Sequence, residues 1–335
     1  MEKEDLRIVF MGTPEFAVET LRKLRTNGYN VVGVVTQPDK PVGRHGSILQ
    51  PSPVKLYAQK FHIPVLQAEK MKDPEFLRQL KALRANLQVV VAFRMLPEEV
   101  WGMPKYGTFN VHAALLPQYR GAAPINWAII NGEKKTGVTT FFLDKNIDTG
   151  RIICQREYPI YRTFNAETVY NALMKRGAKI CLETLEKIIT ANGYPKSVPQ
   201  EDLLVEGPLF PAPKIYKETC DIHWEQPAKR IYDFIRGLSP VPAAWTTLMD
   251  EEGHEAVLKI YKASRTSIIR DVVPGTILAE NKFLYVAAGD GELLSLEELQ
   301  LAGKKKMAVR DFLNGNKNIT AYHCVHTSSS HINSV

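Results

Sequence analysis

Short apolar runs alternate with stretches of helical period over the first two-thirds of the chain. That order predicts strands joined by crossover helices, and hence a parallel sheet. LRIVFMG at 6–12 is the first predicted strand. Thr13 and Pro14 then predict the N-cap and first position of a helix over 14–27, with Gly28 placed to end it. YNVVGVVTQ predicts a second strand, Ser52-Pro53 opens a helix, PVL is a short strand and Asp73-Pro74 opens another helix. NLQVVVAF at 86–93 is apolar on both faces, as a fully buried strand must be. TFNVHAA at 108–114, a helix from Pro124, TGVTTFFL at 136–143, RIICQREYPI at 151–160 and a long helix over 166–190 complete the pattern. The predicted class is α/β, a Rossmann-like, doubly wound, mostly parallel sheet.

From about 193 the pattern dissolves into a proline-rich, polar stretch without period, which predicts a linker over 194–226. One helix over 227–237 follows. Short β-type runs then recur, AAWTTLMD, AVLKIYKA, GTILAE, KFLYVAAG and LLSLEELQL, separated by turn signals such as DEEGH and GDGE. This spacing predicts a smaller, OB-like β-barrel. The expected division is a catalytic domain at 1–193, a linker at 194–226, a β-barrel domain at 227–318 and an unpatterned, disordered tail at 319–335.

Charge adds one asymmetry. Of the net +7, residues 206–335 hold 15 Lys and Arg against 16 Asp and Glu, and residues 1–205 hold 28 against 20. A basic excess on one domain attracts polyanions, because phosphate neutralisation releases counterions. No stretch approaches the roughly 18 apolar residues of a membrane span, and a basic leader with an apolar core is absent. A cytoplasmic, monomeric protein without membrane attachment is expected. Cys154, Cys181, Cys220 and Cys324 are scattered without ligand spacing, so neither a metal site nor a disulfide framework is predicted.

The first strand ends in MGTPEF instead of GxGxxG, so a dinucleotide fingerprint is missing. Candidate chemistry lies in GTFNVHAALLPQYRGAAPINWAI at 107–129 and in FFLDKNIDTG, which ends at Gly150. Side chains alternate along a strand, so Asn110 and His112 face one way and can meet one substrate. An imidazole titrates near neutral pH, and a carboxamide can donate to an oxygen that gains charge in a tetrahedral intermediate. Asp148 could orient the imidazole or collect a proton. Beyond the carboxyl ends of the strands, where such sheets bind ligands, these pieces converge with the segment from Phe93 onward. A hydrogen-bonded core histidine beside a turn-forming asparagine is the alternative reading.

NVHAALLPQYRGAAPINWAI, FMGTPEFAV, VVTQPDKPVGR, PSPVK and the Asp-Thr-Gly turn together resemble the methionyl-tRNA formyltransferase family of folate-dependent formyltransferases, over residues 6 to about 315. The Asn-x-His and Asp-x-Gly elements belong to the wider family and identify the reaction class. The loop TQPDKPVGRHGSILQPSPVK and the C-terminal β-domain point to the tRNA branch. The resemblance implies 10-formyltetrahydrofolate as co-substrate, initiator methionyl-tRNA as acceptor and no metal. It implies Asn110, His112 and Asp148 as catalytic residues. Phe93, Arg94, Met95, Leu96, Pro97, Leu115, Leu116, Pro117, Asp144 and Ile147 are implied as folate contacts. Lys40, Arg44 and Lys55 of the loop at 36–55 are implied as tRNA contacts, while Lys304, Lys305 and Lys306, a run of positive charge in the C-terminal domain, are candidate tRNA contacts from their charge, with a solvated face as the alternative reading.

This chain departs from the family in three places. The Phe93–Pro97 segment is one residue short, with Arg94 near a missing glycine, so that Arg94 either reaches the folate tail or points to solvent. Arg151 follows the Asp-Thr-Gly turn where relatives carry Asp. The C-terminal domain is near neutral for a tRNA-contacting surface. A formyltransferase acting on a nucleotide sugar, and a non-catalytic tRNA-binding protein, are the competing expectations.

Overall fold

The computed structural model describes residues 1–327, which divide into two compact units. The N-terminal unit comprises Met1–Pro124, Lys135–Pro159 and Tyr170–Ala212; the C-terminal unit comprises Ile125–Lys134, Ile160–Val169 and Pro213 onward. The elements run β1 (Arg7–Gly12), α1 (Glu15–Thr26), β2 (Asn30–Thr36), β3 (Lys40–Val42), β4 (Ile48–Gln50), α2 (Pro53–Lys60), β5 (Val65–Gln67), α3 (Pro74–Ala82), β6 (Leu87–Val91), α4 (Glu98–Trp101), β7 (Thr108–His112), α5 (Pro124–Ile130), β8 (Lys135–Phe142), β9 (Ile152–Pro159) and α6 (Ala166–Thr190). They continue with α7 (Ala228–Leu238), β10 (Ala244–Met249), β11 (Glu255–Ile269), β12 (Ile277–Glu280), β13 (Phe283–Ala287), β14 (Glu292–Leu301), β15 (Met307–Ala308), α8 (Val309–Gly315) and β16 (His323–Val325).

The N-terminal sheet has the order β5-β2-β1-β6-β7-β8-β9. Its first five strands are parallel, whereas β8 runs antiparallel to both β7 and β9. β1 and β6 are buried along nearly their whole length, which accounts for their largely apolar runs. Strand order reverses between β1 and β6, the point at which open α/β sheets form a ligand crevice. Ser52 caps α2 by accepting the Lys55 N–H, and Asp73 caps α3 by accepting the Phe76 N–H, as their sequence positions predict. Thr13 does not cap α1. Pro14 stands at the N-cap, while the Thr13 hydroxyl accepts the Gln37 N–H across to the end of β2.

In the C-terminal unit the sheet order is β12-β13-β14-β11-β10-β16, with β15 added to β14. This antiparallel sheet curls until its edges meet: Thr276 bridges His323, and the Cys324 N–H donates to the Gly275 carbonyl at 2.9 Å. α7 presents Ile231, Ile235 and Leu238 to a core that also holds Trp224, Leu258, Ile260 and Leu299.

Two boundaries differ from the sequence expectation. Residues 319–327 are no tail: Ile319–Ala321 form a turn of 3-10 helix, β16 pairs with β10, and Asp221 Oδ2 accepts the Thr327 N–H at 2.9 Å. A short strand with mixed polarity carries too little period to announce itself, and its partner is 76 positions back from Cys324 at Leu248. The rest of that expected tail, 328–335, lies outside the described residues. The expected linker at 194–226 is divided: residues up to Ala212 belong to the N-terminal unit, where 208–212 run alongside 118–123. Gln118 Nε2 donates to the Pro208 carbonyl, Tyr119 N to Phe210 O and Ala212 N to Arg120 O. Its hydrogen bonds are irregular, which is why no alternation marks it.

Candidate active site

β7 is hydrogen-bonded on both sides, with Asn110 opposite Val90 of β6 and Phe141 of β8, and His112 opposite Thr139. The pleat turns both side chains to one face. His112 is 6% exposed, and its Nε2 lies 2.8 Å from the Tyr119 carbonyl oxygen. A carbonyl only accepts, so Nε2 carries the hydrogen and Nδ1 is the ring nitrogen left to gain or lose a proton. The Nδ1 atom stands 3.8 Å from Asp148 Oδ2. That same oxygen accepts the Gly121 N–H at 2.9 Å.

Asp148 arrives by a route that the carboxyl-end rule does not describe. Because β8 is antiparallel, Phe142 pairs with Phe109, and the 143–150 turn leaves beside the amino-terminal half of β7. It folds back to reach His112. Asp144 Oδ1 accepts Asn146 N and Thr149 Oγ1 and so closes the turn on itself, while Asp148 adopts a left-handed φ of 55°. Gly150 lies flat on β8, where a Cβ would sit 1.6 Å from the Phe142 carbonyl oxygen. Only glycine fits there.

Oδ1 of Asn110 is buried with no hydrogen-bond partner among the described residues. An unpartnered buried acceptor costs about 1–3 kcal/mol, so this carbonyl is poised for a donor carried by a ligand. The three side chains thus gather an exchangeable imidazole nitrogen, a held carboxylate and an open carboxamide, the set that transfer to or from a carbonyl carbon needs. Tyr119 and Gly121 were not singled out in the sequence, since each acts on the site through its main chain.

The ten expected folate positions differ in exposure. Met95 and Ile147 are exposed, and Asp144 is exposed but spends its carboxylate on the turn. Phe93, Pro97 and Leu115 are half-buried. Leu96 and Leu116 pack into hydrophobic clusters, and Pro117 is buried. Arg94 takes neither expected course. Its guanidinium donates to the carbonyls of Ala68 and Glu69, which ties the shortened segment to the loop after β5. Five donors on a planar fork make it a natural cap for exposed carbonyls. The left-handed backbone falls on Ala92, with φ 49°.

The long loop after β2 is a hairpin of β3 and β4, with Lys40 opposite Gln50 and Val42 opposite Ile48. Lys40 and Arg44 are exposed, as are Ile48 and Leu49. Lys55 is not free at the surface, because its ammonium donates to both Asp39 oxygens and to Gln67 Oε1 at the hairpin base. The Gln67 amide and this ammonium together hold the Asp39 carboxyl below its usual range. Lys304, Lys305 and Lys306 form the exposed turn between β14 and β15, where Lys306 pairs with Glu298 at 2.9 Å. Arg151 turns away from Asp148 and donates to the hydroxyl and carbonyl of Ser197.

Among the described residues no group of three or more His, Cys, Asp or Glu side chains is placed to hold a metal ion. No helix there is long and apolar enough to cross a membrane.

Comparison with known proteins bears on the same residues. Residues 6–185 match the formyl transferase family model, and residues 214–317 match that of the formyl transferase C-terminal domain. A methionyl-tRNA formyltransferase of Parabacteroides distasonis is 59% identical over 324 residues, covering 96% of this chain and 99% of the relative. That of Porphyromonas gingivalis is 45% identical over 320 residues, covering 94% and 97%. Among solved structures, WlaRD, a sugar 3N-formyl transferase, superposes with a TM-score of 0.62 at 20% identity, covering 90% of this chain and 99% of its own. HypX from Aquifex aeolicus, in complex with tetrahydrofolic acid, gives 0.60 at 19% identity and covers 92% of this chain but 47% of its own. These two likenesses speak for the fold; the sequence identities over both domains go further, and the chain belongs to the methionyl-tRNA formyltransferase family.

Proposed function

We propose that this protein transfers the formyl group of 10-formyltetrahydrofolate to the α-amino group of methionine carried by initiator tRNA, in the cytoplasm, for translation initiation. The observation that carries this reading is the extent of the relationship, since the identity runs through the site and the C-terminal domain together. The site's chemistry fits. The neutral amine attacks the formyl carbon, a C–N bond forms, and the carbonyl electron pair moves onto oxygen. A tetrahedral centre of this kind presents one charged oxygen and one N–H. The Asn110 carboxamide offers Nδ2 to the first and its unpartnered Oδ1 to the second.

His112, with Nε2–H fixed on Tyr119, receives at Nδ1 the proton that the amine loses, and the Asp148 carboxylate supports the resulting charge until that proton moves on. The proton lost by the amine passes by way of Asp148 to N10 of the folate as the C–N10 bond breaks. The products are tetrahydrofolate and the formylated aminoacyl-tRNA. Phe93, Met95, Pro97, Leu115 and Ile147 are the accessible members of the folate-contacting set, and Lys40 and Arg44 on the hairpin are the cations available to the tRNA. Transfer of radiolabelled formyl from 10-formyltetrahydrofolate to charged initiator tRNA tests the reading. Absence of product with the wild-type protein, or transfer only to a nucleotide amino sugar offered in parallel, overturns it.

A further inference from the structure

Gln200, in the stretch after α6, is 1% exposed. A side-chain amide so deeply buried must place both hydrogens and its oxygen or remain costly, and this one places all three. Nε2 donates to the carbonyl oxygen of Asp148 at 2.8 Å and to that of Gly150 at 2.8 Å. Its Oε1 accepts both Nε and Nη2 of Arg120, at 3.1 and 2.7 Å. Arg120 stands between Tyr119, whose carbonyl holds His112, and Gly121, whose N–H holds the Asp148 carboxylate. One buried amide therefore links the two backbone segments that set the imidazole and the carboxylate, across the Asp148 residue whose backbone is left-handed. Aspartate tolerates that conformation better than most residues but still adopts it uncommonly, so neighbouring contacts help to hold it.

We propose that Gln200, locked by Arg120, is a positioning residue for formyl transfer, clamping the Asp148–Gly150 turn so that the carboxylate stays in register with His112. This rests on the reading of Asp148 as the proton-handling carboxylate. Gln200→Leu removes the donors. Gln200→Glu keeps the shape and the tie to Arg120 but turns a group that cannot donate toward two carbonyl oxygens, which keeps the test open if the leucine variant folds poorly.

Steady-state kinetics of both variants are expected to show kcat lowered by about 10–100-fold, with KM for the folate and for the tRNA within about twofold of wild type. Added to Asp148→Asn, either substitution is expected to cause little further loss, because the clamp acts through that carboxylate. Exchange of the Gly121 amide hydrogen, which Asp148 Oδ2 shields, is expected to quicken by about tenfold or more with the melting temperature corrected for. An unchanged kcat, a loss that multiplies with that of Asp148→Asn, or unaltered Gly121 exchange overturns the clamp. If the wild-type protein transfers no formyl group, the functional reading is lost while Gly121 exchange still decides the clamp.

Discussion

Oδ2 of Asp148 stands 3.8 Å from Nδ1 of His112, close enough for charge to be felt and too far for a direct hydrogen bond. An amine or water that touches both groups from one side can hand its proton between them. Removing either group should therefore strip the proton path while leaving binding largely intact. His112→Ala and Asp148→Asn are each expected to lower kcat by about 10²- to 10⁴-fold, with the double variant little worse than the poorer single one. Single-turnover formyl transfer measures this. A variant of either kind with near wild-type kcat would falsify the assignment.

Gly150 makes a steric prediction independent of the chemistry. A Cβ there meets the Phe142 carbonyl oxygen at 1.6 Å, and that oxygen belongs to a β-strand that cannot retreat. Gly150→Ala is expected to displace the turn that carries Asp148 and to reduce kcat by about 100-fold, with a lowered melting temperature. Activity and thermal unfolding are measured on the same preparation. Retention of both would mean that the turn adapts.

The hairpin after β2 separates two kinds of cation. Arg44 is exposed, so Arg44→Leu should raise KM for tRNA and weaken its salt dependence without altering the melting temperature. Lys55 holds Asp39 and Gln67 at the hairpin base. Lys55→Met should therefore loosen the hairpin, seen as faster proteolysis within 38–52. Equal effects of the two substitutions on proteolysis would contradict this division.

In the C-terminal unit Glu292 is buried and receives Nε and Nη2 of Arg265, and that pairing holds its carboxyl below the usual glutamate range. A depressed folded-state pKa means that the stabilisation is present above the unfolded value of about 4.3 and is lost as pH falls through the folded one. Urea melts between about pH 5 and pH 3 should show this decline. Glu292→Gln should flatten it, at a cost near 1 kcal/mol at neutral pH, a modest figure because Arg265 is partly exposed to screening solvent. Parallel pH profiles for the two proteins would remove Glu292 as the source.

Much of the N-terminal unit was legible because its order depends on local period. The buried strands β1 and β6 read as largely apolar runs, and Ser52 and Asp73 mark their helix starts through short-range capping. The short strands β3, β4, β15 and β16 were not legible, since two or three residues carry little period, and β16 in addition takes its order from β10, far back in the chain. Arg94 illustrates the limit for side chains: a guanidinium on a surface loop offers five donors, and only the folded chain shows that the carbonyls of Ala68 and Glu69 receive two of them.

The sequence by itself determined that Asn110 and His112 act on one face, because a strand alternates with period two whatever surrounds it. It also pointed to the reaction class, through the resemblance of its Asn-x-His and Asp-x-Gly elements to those of the formyltransferases. Only the tertiary structure decided which nitrogen of His112 is free, how Asp148 reaches it and what holds it there. Those are relations between segments far apart in the chain: the Tyr119 carbonyl, the antiparallel turn of β8 back over β7, and the Gln200 amide that joins them. Their geometry is fixed by packing and hydrogen-bond satisfaction across the folded unit, which no local pattern of residues records.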